Sequence, residues 1–174
     1  MDKLIIYCHG YASSANSDKL DALQKAGFDA HCFQADIDPE VAFQSISDRV
    51  DDLLMDRMNE EIKLIFVGTS LGGWMASKLA DSYGADAVII NPSLDPEASL
   101  VKYGVPKEIR NKYEKMKVNS KYQYFFAQYD EVIDHTECIK QCTDIGASIT
   151  IVQSAYHRFQ KDFSRVIKFL TKAK

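Results

Sequence analysis

A serine lies between two glycines near the middle of the chain, in the stretch Gly68-Thr69-Ser70-Leu71-Gly72. The pattern G-x-S-x-G is typical of a nucleophile elbow, a tight turn from a strand into a helix that exposes the serine hydroxyl. An apolar run precedes the turn and a helical pattern follows it, as an elbow requires. The glycines could instead cradle a phosphate or simply join two elements, but Trp74 stands where a phosphate-binding loop needs lysine. We therefore predict that Ser70 is a nucleophile.

A nucleophilic serine needs a neighbouring base, because a free hydroxyl stays protonated at neutral pH. In elbow-type sites the acid and then the histidine follow the serine along the chain. His157 comes shortly after an apolar strand, which is where such a base is expected. His135 also follows Ser70, but it is better explained as part of a helix first turn that Asp134 and Glu137 cap. We predict that His157 is the base.

The carboxylate that orients the base is expected at the same end of the sheet. Asp130 lies just beyond the strand that ends near residue 127. Its neighbour Glu131 should point elsewhere, Asp134 is explained as a cap, and Asp144 precedes a strand. Asp130 is therefore the predicted third member of a catalytic triad.

An acyl-transfer site also needs backbone N–H groups to hold the oxyanion. One is expected from the residue after the nucleophile, Leu71, and the other from the loop after the first strand. In that loop Gly10 permits a sharp turn, and the N–H of Tyr11 is the best candidate. His9 precedes Ser70, so we predict that it orders this loop by hydrogen bonds and does not act as the base.

Trp74 and Tyr156 are candidates for lining a substrate pocket, although a tryptophan on a helix is more often part of the core. No motif indicates a cofactor. Cys138 and Cys142 stand four residues apart on a predicted helix, but without a C-x-x-C or H-E-x-x-H pattern they are more typical of buried thiols than of a metal site. We expect neither a metal nor a cofactor.

Short apolar runs alternate with longer helix-like segments along the whole chain. Strands are predicted at 3–8, 28–33, 63–67, 87–90, 122–127 and 148–152, and helices at 17–27, 40–59, from the elbow to about 83, 134–143 and 160–172. This alternation indicates an α/β fold, a three-layer αβα sandwich with a mostly parallel sheet of about six strands. We predict one domain over residues 1–174. Ligands in such sheets bind beyond the carboxyl ends of the strands, where all three triad candidates lie.

Composition excludes several classes of partner. The formal net charge is −4 and the sequence pI about 5.5, so we expect neither nucleic-acid binding nor attraction to acidic membranes. No signal peptide or membrane-spanning run is apparent, and four cysteines outside a secreted context favour reduced thiols and a cytoplasmic location. Nothing in the sequence encodes an oligomeric state.

Five stretches in this order resemble the α/β-hydrolase superfamily, and most of all the small bacterial esterases of the YqiA/YcfP type. They are LIIYCHGYASSANS, VGTSLGGWMASKLA, VIINPSLDP, AQYDEVIDH and AYHRFQKDFSRVIKFL. The resemblance implies a minimal hydrolase with little or no cap, a Ser70–Asp130–His157 triad and short-chain ester substrates. Two loops depart from the pattern, because Ser154-Ala155-Tyr156 and Gln128-Tyr129 replace stretches in which glycine is usual.

These observations favour a serine hydrolase that cleaves small acyl esters through an acyl-enzyme on Ser70. Residues 93–120 are predicted to be irregular or weakly helical and too few to form a large lid, which favours an open pocket and small acyl groups. A thioesterase or amidase with the same triad is an alternative. A non-catalytic binding protein that keeps the hydrolase fold is another.

Overall fold

The computed structural model describes residues 2–172 and contains one six-stranded sheet. The strands are β1 (Asp2–Cys8), β2 (Asp29–Cys32), β3 (Ile62–Thr69), β4 (Asp86–Ile90), β5 (Gln123–Ala127) and β6 (Ser148–Val152). Their order is β2-β1-β3-β4-β5-β6, and every neighbouring pair is parallel. All strands therefore end at the same edge of the sheet. The predicted α/β class and parallel sheet are confirmed.

Helices cover both faces of the sheet and complete the three layers. They are α1 (Asp18–Lys25), α2 (Pro39–Met55), α3 (Leu71–Tyr83), α4 (Pro96–Ser99), α5 (Lys107–Arg110), α6 (Thr136–Asp144) and α7 (Phe163–Lys172). Buried side chains of α2, α3 and α6 share one core cluster, and those of α1 and α7 share the other. No helix within residues 2–172 is long and apolar enough to cross a membrane.

The central strands are apolar on both faces because both faces are covered. In β1, Ile6 is completely buried in the cluster under α3, while its neighbour Ile5 is buried in the cluster under α7. This alternation follows from the two-residue period of a strand. It explains why the sequence shows continuous apolar runs at β1, β3 and β4 and no alternation of polar and apolar residues.

The segment between β4 and β5 is folded onto the α3 side of the molecule. It contains α4, a 3₁₀ turn at Val101–Tyr103 and α5. The ring of Tyr113 packs edge-on against Trp74, with centroids 4.9 Å apart, and its hydroxyl donates to the carbonyl of Ile37 at 2.8 Å. These contacts hold the segment against the body of the protein as one wall of the cavity described below.

Candidate active site

Ser70 occupies a strained turn between β3 and α3. β3 ends at Thr69 and α3 begins at Leu71, so the chain reverses at one residue, whose φ is 59° and ψ −123°. A Cβ on Gly68 would overlap the carbonyl of Gly72, and a Cβ on Gly72 would overlap the carbonyl of Cys8. The sequence therefore needs glycine at both flanking positions. The elbow geometry predicted for this stretch is present.

The structure brings the three predicted triad residues together in one hydrogen-bonded chain. Nε2 of His157 lies 3.1 Å from Oγ of Ser70. Nδ1 of His157 lies 2.9 Å and 2.7 Å from the two carboxylate oxygens of Asp130. An ionised carboxylate only accepts hydrogen bonds, so Nδ1 carries the proton and Nε2 is left to accept from the serine hydroxyl. This is the tautomer that a general base at Ser70 requires.

The Asp130 carboxylate accepts hydrogen bonds from the loop after β5 as well as from the base His157. Its Oδ1 accepts from the N–H groups of Val132 and Ile133, both at 2.8 Å. Its Oδ2 lies 2.7 Å from Nε2 of a second imidazole, His135. Burial opposes ionisation of Asp130, but the hydrogen bonds from His135, from His157 and from the two N–H groups outweigh it. Together they hold the pKa of this carboxyl well below its usual range.

The prediction that His135 lies in a capped helix first turn is wrong. α6 begins one residue later, at Thr136, and Asp134 accepts from the N–H and the hydroxyl of Thr136 without forming a box with Glu137. The His135 ring is buried, packs against Phe126 with centroids 5.2 Å apart, and turns toward Asp130. Within residues 2–172 its Nδ1 has no hydrogen-bond partner.

The loop that carries His157 is fixed by Asn91, which sequence reasoning did not single out, and by Glu131, whose predicted orientation away from the site is wrong. Asn91, at the end of β4, donates from Nδ2 to the carbonyl of His157 at 2.9 Å, and its Oδ1 accepts from the N–H of Ala127 at 2.7 Å. Glu131 accepts from the N–H of His157 at 3.1 Å. These bonds tie the base to the ends of β4 and β5. In the sequence, Asn91 directly follows the predicted strand at 87–90. No local sequence pattern indicates that its side chain bonds to His157.

The loop after β1 runs beside the serine. A Cβ placed on Gly10 would lie 4.0 Å from Oγ of Ser70, so a larger residue would crowd the site. Tyr11 and Leu71 line the same cavity as Ser70, and neither N–H donates a hydrogen bond to another residue of the described chain. His9 bonds to the Gly10 carbonyl through Nδ1 at 2.9 Å and accepts the Ala35 N–H at Nε2. His9 therefore orders this loop, as predicted.

A cavity of about 490 Å³ contains Ser70 and His157. Neither Trp74 nor Tyr156 lines it, so both substrate-binding predictions need correction. Trp74 is buried under the β4–β5 segment and donates from Nε1 to the carbonyl of Glu114 at 2.7 Å. It borders a second cavity of about 170 Å³, which shares Tyr11 and Leu71 with the first. Tyr156 is 64% exposed and is not among the residues that line the cavity of Ser70.

Two groups of side chains bear on the question of a metal. Asp130, His135 and His157 each place one ligand atom within 4.8 Å of the others. Those atoms are already joined by the hydrogen bonds described above, an arrangement that suits an ionised carboxylate with two donors. Cys138 and Cys142 are free thiols buried in the α3-side core, the place expected for structural cysteines.

The family assignment follows from comparison with known proteins. The uncharacterised protein family UPF0227 matches residues 4–172, nearly the whole chain. The chain belongs to this family. A UPF0227 protein from Shewanella woodyi is 28% identical over 101 residues, which are 56% of this chain and 55% of that relative. The chain therefore aligns with about half the length of the curated relative that it matches.

Solved α/β hydrolases share the fold of this UPF0227 chain at low sequence identity. The esterase Pf2001 of Pyrococcus furiosus superimposes with a TM-score of 0.71 at 17% identity, covering 98% of this chain and 82% of that one. Est1E from Butyrivibrio proteoclasticus gives a TM-score of 0.72 at 12% identity, covering 98% and 87%. The mouse alpha/beta hydrolase domain-containing protein 10 gives 0.70 at 15%, covering 97% and 88%. The α/β-hydrolase fold is thus confirmed.

Proposed function

We propose that this UPF0227 chain is a serine hydrolase that cleaves small acyl esters through an acyl-enzyme on Ser70. The observation that carries the proposal is the unbroken hydrogen-bonded chain from Ser70 through His157 to Asp130, built on a strained serine turn. The backbone of Ser70 is strained because a non-glycine residue rarely adopts a positive φ. Such strain persists only where the surrounding structure enforces it, and it concentrates at functional sites. The esterases among proteins of the same fold are consistent with this chemistry.

Acylation begins when the Ser70 oxygen attacks the ester carbonyl and its proton moves to Nε2 of His157. The imidazolium that forms is stabilised by Asp130, whose lowered pKa keeps the carboxyl ionised at neutral pH. The carbonyl electron pair moves onto oxygen, which accepts from the N–H groups of Leu71 and Tyr11. When this electron pair re-forms the carbonyl double bond, the bond to the leaving alkoxide breaks, and the alkoxide takes the proton from His157.

Deacylation repeats these steps with water as the nucleophile. His157 takes a proton from water, and the hydroxide oxygen bonds to the acyl carbon. The bond to Ser70 then breaks, and the serine oxygen regains the proton from His157. The sum is one ester and one water converted to one acid and one alcohol. Because residues 93–120 form a fixed wall and no large lid, we propose small acyl groups and expect poor turnover of long-chain lipid esters.

A fluorophosphonate probe tests the proposal directly, because it forms a covalent bond with an activated serine. We expect the wild-type protein to be labelled and to hydrolyse p-nitrophenyl acetate and butyrate. Ser70→Ala should lose both, and His157→Ala should be labelled at least about a hundredfold more slowly. Ser164→Ala, which changes a serine outside the cavity, is the matched control. Equal labelling of wild type and Ser70→Ala would refute the nucleophile and leave a binding protein as the better explanation.

A competition assay separates the ester from the other acyl bonds. Matched acetyl esters, thioesters and anilides should be compared by kcat/KM, with Ser70→Ala as the background. We expect the oxygen ester to be cleaved fastest. A thioester that outcompetes the ester after correction for its uncatalysed hydrolysis would reassign the enzyme as a thioesterase.

A further inference from the structure

Charged side chains are unevenly distributed around the cavity that contains Ser70. Its lining includes three cationic residues, Lys19, Lys102 and Arg158, and two acidic ones, Asp18 and Glu131. The Asp130 carboxylate bonded to His157 adds a third negative charge at this site, so the attraction for an anion depends on where the cations lie and not on a net positive charge. Cavity walls of low dielectric strengthen the field of each such charge.

Lys19 is the most constrained of these cations. It lies in the first turn of α1, is half-buried, and has its ammonium 6.0 Å from the centre of the Phe163 ring. It forms no ion pair with a carboxylate of residues 2–172. Burial lowers the pKa of Lys19 to about 8; Asp18 partly offsets this, and the charge of Arg158 adds to it. Because no described carboxylate lies within ion-pair distance of its ammonium, a bound anion would further stabilise the charged form of Lys19.

Arg158 directly follows the predicted base in the sequence; it is exposed and lines the same cavity as Ser70. Like Lys19, it forms no ion pair with a described carboxylate. Lys102, contributed by the β4–β5 segment, also lines the cavity, but its ammonium already donates to the carbonyl of Val132 at 2.9 Å. Lys102 keeps two of its three donors, whereas Lys19 and Arg158 donate no hydrogen bond to another described residue and have all of their donors left for a ligand.

The two acidic residues of the cavity are engaged by neutral donors. Asp18 accepts from the side-chain amide of Gln160 at 2.9 Å. Glu131 accepts from the N–H of His157 at 3.1 Å, and this bond is the main reason that the pKa of Glu131 is lowered. Neither carboxylate forms an ion pair with Lys19 or Arg158. Both carboxylates keep their negative charge, but neither occupies the donors of Lys19 or Arg158, so these donors remain available to a ligand in the cavity.

From this arrangement we infer that Lys19 and Arg158 form an anion subsite, and that the preferred substrates are acyl esters bearing a carboxylate or a phosphate away from the scissile bond. The anion would sit against the first turn of α1, whose N-terminal end carries partial positive charge. The inference rests on the proposed ester hydrolysis at Ser70 and names its substrate class. An arginine suits either anion, because its planar donors pair with both carboxylate and phosphate.

Pairs of esters that differ in one charged group test the subsite. On the leaving-group side, 4-acetoxybenzoate and 4-acetoxyphenyl phosphate are compared with neutral 4-acetoxybenzamide. On the acyl side, the p-nitrophenyl monoester of glutaric acid, which has a free carboxylate, is compared with the p-nitrophenyl ester in which a neutral carboxamide replaces this carboxylate. We expect kcat/KM for at least one anionic ester to exceed that of its neutral partner by about tenfold or more, as for a hydrogen bond to a charged group. The identity of the preferred ester shows whether the subsite favours a carboxylate or a phosphate. It also shows whether the anion lies on the acyl side or on the leaving-group side of the ester.

The double variant Lys19→Gln with Arg158→Gln should bring this ratio close to one. Lys25→Gln, at the exposed far end of the same helix, is the matched control and should leave the ratio unchanged. Melting curves establish that the variants fold. In the wild type, 0.5 M salt should reduce the ratio, because ions screen a charge-based preference. A ratio near one for both ester pairs, or a preference that survives the double variant, would overturn the inference.

Labelling rates provide a second readout that does not depend on turnover. Phenyl phosphate or benzoate should slow fluorophosphonate labelling of the wild type more than benzamide does, and should lose this advantage in the double variant. Equal protection by all three compounds would also contradict the subsite. The outcomes are distinguishable, since labelling that persists in Ser70→Ala rejects the hydrolase itself. Labelling that depends on Ser70 but shows no charge preference rejects the subsite alone.

Discussion

Asp130 accepts hydrogen bonds from two imidazoles, although a serine hydrolase triad needs only one. His157 and His135 both reach the same carboxylate oxygen, each at 2.7 Å. Within residues 2–172 it is His157 that bonds to Ser70, while His135 bonds to Asp130 and not to the serine, so His135 takes no direct part in proton transfer from the serine. Its effect on the reaction is to fix the carboxylate and favour its ionised form. His135 is therefore a positioning residue in the proposed mechanism.

Replacing His135 with phenylalanine tests this role, because the new ring can still pack on Phe126 while the donor is lost. We expect kcat on p-nitrophenyl butyrate to fall by about tenfold or more with little change in KM, since a hydrogen bond to a charged group contributes about 1.5–3 kcal/mol. His135→Gln, which can supply an amide donor, should recover part of the loss. Wild-type kcat in His135→Phe would show that the second imidazole has no part in the reaction.

The triad could be predicted from residue type and order, whereas its supports could not. Ser70, Asp130 and His157 each follow a strand, and parallel strands bring their carboxyl ends to one edge. His135 also follows Ser70, but the direction of its ring depends on where α6 begins, which differs by one residue from the start that a capping box would give. Asn91 contacts a loop 66 positions away, a relation that no local pattern encodes.

At the level of elements, the strands were easier to locate than the surroundings of the site. Predicted and observed strands agree within two residues because buried parallel strands are short apolar runs with polar ends. The prediction that Trp74 lines the pocket of Ser70 could not foresee how this side chain is covered. The position of Trp74 on α3 determines which face of the helix carries it, but not which part of the chain packs on that face. The β4–β5 segment, whose short helices have weak sequence signals, buries it.

The close approach of β1, β3 and α3 makes a specific prediction about the elbow glycines. Gly72→Ala should lower the free energy of unfolding by about 1–3 kcal/mol or more, because its Cβ would overlap the backbone carbonyls of Cys8 and His9. Gly73→Ala is the graded comparison: its Cβ would lie 3.2 Å from Pro92, a contact that a small shift can relieve. Urea unfolding of both variants measures the difference. A Gly72→Ala protein as stable as Gly73→Ala would contradict the packing described for the turn.

Over the whole molecule, the cavity brings together charges that are far apart in sequence. α1, the β4–β5 segment and the loop before α7 supply Lys19, Lys102 and Arg158 from three separate parts of the chain. Net charge and pI, which average over all residues, indicate only an acidic protein. The fold brings these three cations to the wall of the cavity that contains the proposed nucleophile, and for this reason composition alone gives no indication of an anionic substrate.

The titration of Lys19 gives this charge arrangement a pH dependence. Its pKa is lowered to about 8, chiefly by burial, so the anion subsite should lose a charge as the pH rises through that value. Asp18 on the same helix opposes the shift, and Arg158 from the loop before α7 favours it. We expect the ratio of kcat/KM for an anionic ester to that for its neutral partner to be constant below about pH 7 and to fall above about pH 8.

Taking the ratio cancels any pH dependence of the chemical step, which both esters share. Lys19→Arg supplies the control, because a guanidinium stays charged throughout the accessible range and should extend the preference to higher pH. Both proteins should be measured from about pH 6 to about pH 10 at constant ionic strength, since screening alone would otherwise change the ratio. A wild-type ratio that stays flat across this range, or one that falls identically in Lys19→Arg, would mean that another group sets the charge of the cavity.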